Sequence, residues 1–205
     1  MTNLITLNNG AASVAEDTWT IVHLPASQAP ERVLAGKVVL FKLTGEATVT
    51  PEQIAGTVIP ATGKVILPLQ VFFANLKPLS SRIAAGEIGV WLATHELIED
   101  LNKALPDLNQ LPLIAIFVER FADGRIFSLG NLLRTRFGFK NDLRAFGDVL
   151  KDQLFFLKRS GFSSFLIRAD RSATDAITSL HEFTAPYQGA VDEPRPVFSR
   201  YNRAN

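Results

Sequence analysis

The chain has 205 residues, 47% of them hydrophobic and 20% charged, with a formal net charge of +1. That composition fits one soluble globular domain, and no apolar run approaches the ~18 residues a membrane helix needs. There is no cysteine, which excludes a disulfide, a thiol nucleophile, a thiolate zinc site and a cysteine-ligated iron–sulfur cluster.

Residues 1–60 read as an irregular segment with short strands. Leu4 to Leu7 followed by Asn8-Asn9-Gly10 predicts a strand and turn, Trp19 to Leu24 a second strand, and Lys37 to Leu43 a third, rich in branched apolar residues. Thr50-Pro51-Glu52-Gln53 carries a cap, a first-turn proline and a Gln at the third helical position, so a short helix is expected there.

From residue 61 to 187 the pattern becomes a regular strand–helix core. Val65 to Leu67 is a strand, and the helix opening at Pro68 should split at Pro78. Ile88 to Leu92 is the next strand, followed by a helix capped by Thr94 and stopped by Pro106. Leu113 to Val118 is almost wholly apolar, as a strand covered on both faces requires. Ser128 is expected to cap a helix ending at Gly138, Leu143 to Phe146 to form a strand, and Asp148 to cap a helix ending at Gly161. Phe165 to Arg168 is the last strand, and Ser172 begins a helix stopped by Pro186. Residues 188–205, with two prolines and three arginines, read as an extended, mobile tail. The fold class is α/β: a mainly parallel sheet of repeated strand–helix units, either an open doubly wound sheet or half of a (β/α)₈ barrel. Residues 1–187 are expected to form a single domain.

Chemistry concentrates between Leu113 and Arg171. This stretch holds ten of the fifteen phenylalanines and eleven basic residues against six acidic. Its charged residues crowd where strands become helices, the place parallel sheets bind ligands. Asp123-Gly124-Arg125 reads as a tight turn, but the turn does not account for Arg125, whose guanidinium could share an anion with the free N–H groups at the Ser128 helix start. Arg144 lies inside a short strand, and a buried guanidinium needs a carboxylate or a bound anion. Either it pairs with Asp148 or Asp152, or it faces a ligand. Gly147 and Asp148 close the same strand, and Gln153 stands one turn further along. The ligand-binding candidates are therefore Arg125, Ser128, Arg144, Gly147, Asp148 and Gln153, with Asp148 and Glu119 as candidate bases.

Other motifs drop out. GTVIPATGK at 56–64 has six residues between its glycines, where a phosphate-binding loop has four, and Val65 follows its lysine. Neither a G-x-G-x-x-G after a strand nor a G-x-S-x-G elbow occurs. His23, His95 and His181 have no ligand spacing, so no metal site is expected. No cofactor is identifiable, and any redox role would place the electrons on a partner or on a non-covalently held organic cofactor. The near-neutral charge argues against nucleic acid, and MTNLITLNNG has no secretory character, so the cytoplasm is the expected location.

The run FADGRIFSLGNLLRTRFGF, then LRAFGDVLKDQL and RSGF, resembles an uncharacterised bacterial family, domain of unknown function 934. Its members look like (F)xDGRxxSxAxLLRxRxGF followed by (E)LRAxGDVLxDQLxxxxRxGFDxF. Besides the candidates above, the matching positions include Asp123, Gly124, Arg134, Arg136 and Asp152. Members often carry Glu where this chain has Phe117 and Pro where it has Glu119, so Glu119 would have to substitute as a base. Ser164 stands near where Asp is common. The resemblance implies a probable oxidoreductase, often encoded beside sulfite reductase hemoprotein and phosphoadenylylsulfate reductase. Three functions are then expected to compete. The first is an accessory protein of sulfite reduction that binds the reductase or its electron donor, with an oxyanion-binding strand-end cluster. The others are a small enzyme acting on an anionic substrate at that cluster, and a scaffold without ligand. A homo-oligomer stays open.

Overall fold

The computed structural model describes residues 3–8, 10–25 and 49–200; the strand expected at Lys37 to Leu43 lies outside them. The first elements are β1 (Leu4–Asn8), β2 (Ala11–Ala15), β3 (Trp19–Ile21) and α1 (Pro51–Ala55). Next come β4 (Lys64–Pro68), α2 (Leu69–Ala74), α3 (Ser80–Ala84), β5 (Ile88–Ala93) and α4 (Ile98–Ala104). Then follow β6 (Leu113–Val118), α5 (Arg125–Thr135), β7 (Asp142–Gly147), α6 (Lys151–Arg159) and β8 (Ser164–Leu166). The last are α7 (Ala173–Ala176), which runs into a 3₁₀ turn, and α8 (Val197–Arg200).

All eight strands join one sheet in the order β2-β1-β8-β7-β6-β5-β4-β3. From β3 to β8 the pairing is parallel and strictly sequential, while β1 runs antiparallel to both β2 and β8. Right-handed crossovers that never reverse direction place their helices on one face. Accordingly Val65, Leu67, Val90, Leu92, Ile114, Ile116, Leu143 and Ala145 share the main core with Phe72, Ile83, Leu101, Leu133 and Leu154 of the helices. Among the described residues no topological switch point exists, so the chain is a half-barrel rather than a doubly wound sheet.

The curl follows from chain length. Laid flat, eight strands at about 4.8 Å spacing would span about 34 Å. Yet the outermost strands, β2 and β3, are joined by only Glu16, Asp17 and Thr18, and that link reaches at most about 14 Å. The sheet must bend until its two ends approach. Its concave face carries a second, smaller apolar cluster of Ile66, Trp91, Leu113, Ala115 and Phe146, with Trp19, Ile21 and Phe117 packed against it. Trp91, Phe117 and Phe146 form an aromatic trio with ring centroids 5.2 to 5.9 Å apart.

Local expectations hold at several ends. Thr50 and Gln53 form the reciprocal capping box, Ser172 accepts from the Asp175 N–H, and the chain breaks between α2 and α3 at Pro78. Three caps differ. Leu97 precedes α4 rather than Thr94. Gly124 precedes α5, leaving Ser128 exposed within the helix. Leu150 precedes α6 instead of Asp148. The tail through Arg200 is not simply extended: Val191 N–H donates to Arg159 O at 3.0 Å and α8 closes it. No helix among the described residues is long and apolar enough to cross a membrane.

Candidate functional site

The carboxyl ends of β6 and β7 carry most of the residues singled out above. Gly147 ends β7 at φ +99°, and a Cβ there would lie 2.3 Å from Val118 O. Only glycine lets the two strand ends lie this close. The left-handed turn swings the chain so that Asp148 N–H donates to Val118 O at 2.8 Å and α6 begins later than a simple cap would allow.

Asp148 is therefore available to the neighbouring loop. Its Oδ2 accepts the Phe121 N–H at 2.9 Å, and its Oδ1 accepts from Arg168 Nη1 at 2.8 Å. Gln153, buried, donates from Nε2 to Phe121 O at 3.0 Å, while its Oε1 accepts the Leu150 N–H at 3.2 Å. Both backbone groups of Phe121 are held by side chains from the β7–α6 unit. Phe121 itself is 42% exposed.

Asp123 secures the other end of the same loop. Its Oδ1 accepts from the Arg125 N–H at 3.1 Å and from Arg125 Nε at 2.8 Å; its Oδ2 accepts from Arg125 Nη2 at 2.6 Å and from the Thr94 hydroxyl. The Arg125 guanidinium holds the Asp123 carboxyl well below the usual carboxylate range, opposed by burial and assisted by Thr94. Asp123 likewise keeps Arg125 firmly protonated. With the Arg125 N–H already satisfied by Asp123, α5 starts three residues before Ser128. The loop 119–124 is thus clamped by Asp123, Asp148 and Gln153, each making local or cross-strand bonds that leave its own chain little freedom.

Arg144 stands apart from this cluster. It lies in the middle of β7 with a side chain 3% exposed, and it points to the concave face, because Leu143 and Ala145 on either side face the helices. Its expected partners, Asp148 and Asp152, are not the ones it meets. Nη1 donates to both oxygens of Asp17 at 2.9 Å, Nη2 lies 3.5 Å from Asp142 Oδ2, and Nε donates to Ser164 Oγ at 3.2 Å. Asp17 belongs to the short link between β2 and β3, so the guanidinium ties β7 to the seam of the curled sheet. The correction has a simple cause: strand alternation sends residue 144 to one side, while Asp148 lies beyond the strand in the loop leading to α6.

Two cavities at the strand ends were not anticipated from the sequence. A cavity of about 310 Å³ lies beyond β7 and β8, lined by Lys151, Asp152, Arg171 and Asp175 among others, with balanced charge. A second, of about 230 Å³, lies beyond β4, β5 and β6 and is lined by Trp91, Phe117, Gln70, Thr94, Glu96 and Glu119 among others. Glu119 is exposed there. Of its lining, the sequence singled out Glu119 as a candidate base and Thr94 as a helix cap, but nothing local linked either to the strand residue Trp91. Among the described residues no group of three or more His, Asp or Glu side chains is arranged to hold a metal ion.

No curated protein and no solved structure matches the chain. A family model does, over residues 89–198, from within β5 to α8. That span takes in both sides of the loop clamp and Arg144, but not Asp17. The match covers more than half of the chain and includes the whole ADGR and LRAFGDVL constellation, so the chain belongs to the family described as bacterial protein of unknown function (DUF934).

Proposed function

We propose that the chain is an accessory protein of assimilatory sulfite and sulfate reduction, docking on the reductase or its electron donor through the clamped loop 119–124. The partner class comes from the family resemblance. The observation that carries the docking reading is the use of the motif's polar groups: Asp123, Asp148 and Gln153 are committed to holding a loop whose Phe121 is 42% exposed. A pre-organised loop with an outward aromatic side chain loses little entropy on association and suits an interface anchor. Internal pairing of Arg125 with Asp123, and of Arg144 with Asp17, favours loop fixing over capture of an oxyanion. The flanking basic excess between Leu113 and Arg171 would steer an acidic partner.

Affinity capture from a cell growing on sulfate tests the reading. The tagged protein is expected to retain sulfite reductase hemoprotein, and Phe121→Ala to weaken retention about tenfold or more. Absence of every sulfur-assimilation protein from the captured material, or undiminished capture by the variant, defeats it. The cavity beside Glu119 favours a second reading, a small oxidoreductase-type enzyme. Steady oxidation of reduced nicotinamide by the purified protein would support that one instead.

A further inference from the structure

Two cavities meet at Glu96, just after the end of β5. The first is the 230 Å³ space bordered by Trp91, Phe117 and Pro68. The second, of about 320 Å³, shares Gln70, His95 and Glu96 with it and extends to Asp100. Both lie at the carboxyl ends of β4 and β5, the rim at which curled parallel sheets take small molecules. The size of the first falls below the ~300 Å³ typical of drug-sized pockets, so its occupant is small.

The lining has a definite chemistry. Trp91 is 7% exposed and its indole N–H donates to Val22 O at 2.8 Å. The ring is fixed in place and has no donor left over, so it offers apolar surface and a π-face. Phe117 lies 5.6 Å from it, centroid to centroid. Glu96 is equally fixed: Oε2 accepts the Ala93 N–H at 2.8 Å and Oε1 accepts from Gln70 Nε2 at 3.2 Å. A carboxylate has roughly four acceptor positions, so Glu96 keeps capacity for a ligand. Glu119 adds a second carboxylate. Asp100, in the adjoining cavity, pairs with Lys103 at 2.8 Å. No Lys or Arg is among the described residues lining either cavity.

An aromatic floor beside an oriented carboxylate selects a positively charged head on an apolar body, since the ring face and the carboxylate both attract a cation. We propose that this double cavity binds a small organic cation, an ammonium or amidinium group carried on an apolar or aromatic body. The head meets Glu96 and the body lies against Trp91 and Phe117. The site adjoins the docking loop through Glu119 and Thr94, but its cation chemistry does not rest on the sulfur-assimilation reading.

Benzamidine and benzoate, planar probes of similar shape and opposite charge, test it on the full chain by tryptophan fluorescence titration and saturation-transfer NMR. Benzamidine is expected to bind, benzoate to bind at least tenfold more weakly, and Glu96→Gln to weaken benzamidine about tenfold or more while leaving benzoate unchanged. Should Glu96→Gln fail to fold, Ala93→Leu, which fills the cavity from the strand end, is expected to abolish the benzamidine signal. Equal binding of the two probes, no binding of benzamidine, or full benzamidine affinity in Glu96→Gln or Ala93→Leu overturns the proposal.

Discussion

Asp17→Ala removes the carboxylate that receives two 2.9 Å hydrogen bonds from a guanidinium 3% exposed. Removing one partner of a buried pair costs about 3–5 kcal/mol when nothing replaces it. Here Asp142 at 3.5 Å and Ser164 at 3.2 Å remain, which lowers the expected loss to about 2–3 kcal/mol. The converse change behaves differently. Arg144→Met leaves Asp17 and Asp142 without their partner, but their side chains are 20% and 32% exposed and water can reach them. Methionine also fills most of the vacated volume, so about 1 kcal/mol is expected. The order Asp17→Ala worse than Arg144→Met is the informative outcome. Urea unfolding followed by tryptophan fluorescence measures both, and at about 2–4 °C per kcal/mol for a chain of this size the melting temperature of Asp17→Ala should fall by about 4–12 °C. An Asp17→Ala protein within 0.5 kcal/mol of the parent on the error scale of such measurements, or an Arg144→Met protein that is the less stable of the two, refutes the seam argument.

The remaining predictions concern the rim. Asp123→Asn should cost about 1–2 kcal/mol at pH 7, because Arg125 is 44% exposed and its pull is screened. Since the folded Asp123 pKa lies below its unfolded value near ~3.9, its contribution is present above that value and is lost as pH falls through the folded one. The stability gap between parent and variant, read by urea titration across pH, should therefore narrow below about pH 4; a constant gap removes the ion pair as its cause. Gly147→Ala should lose about 3 kcal/mol or more, from a positive φ and a Cβ 2.3 Å from Val118 O. Gly138→Ala, at φ +62° with open space around it, should cost only about 1–2 kcal/mol. Thermal melts of the two compare directly, and equal losses would contradict the close-approach argument. Gln153→Leu should speed amide hydrogen exchange over residues 119–123 relative to β6, and unchanged exchange there would show that the loop does not depend on this clamp.

Much of the architecture was legible because local pattern and global fold agree. Leu113 to Val118 is apolar throughout and is a central strand with both faces covered. The alternation of strands and helices fixed a parallel sheet, but not whether it coils or opens, since periodicity says nothing about strand order. That information resides in the link of Glu16, Asp17 and Thr18, whose shortness matters only once β2 and β3 are known to lie at opposite ends. Strand β2, with sequence AASVA, is largely exposed and has a single branched apolar residue, Val14, so it was invisible. The rim was partly legible. Asp123, Asp148 and Gln153 were found as polar groups at strand ends, yet the joint grip of Asp148 and Gln153 on Phe121 arises from contacts up to 32 residues apart. Arg144 was recognised as costly to bury, but its partner lies 127 residues away, beyond the reach of any local pattern. Glu96 carries no signal of its own in the sequence, because the cavities beside it are formed by residues of separate elements.

The sheet's continuity has a practical consequence for anyone wishing to express the matched region alone. Residues 89–198 begin inside β5 and omit β4, which pairs with it, and β1, which pairs with β8. Such a fragment would present two bare rows of unpaired backbone amides and carbonyls where the intact chain has neighbours, a template for intermolecular strand addition and precipitation. The matched region is therefore expected to be insoluble by itself, since the N-terminal strands cover the two edges it would expose.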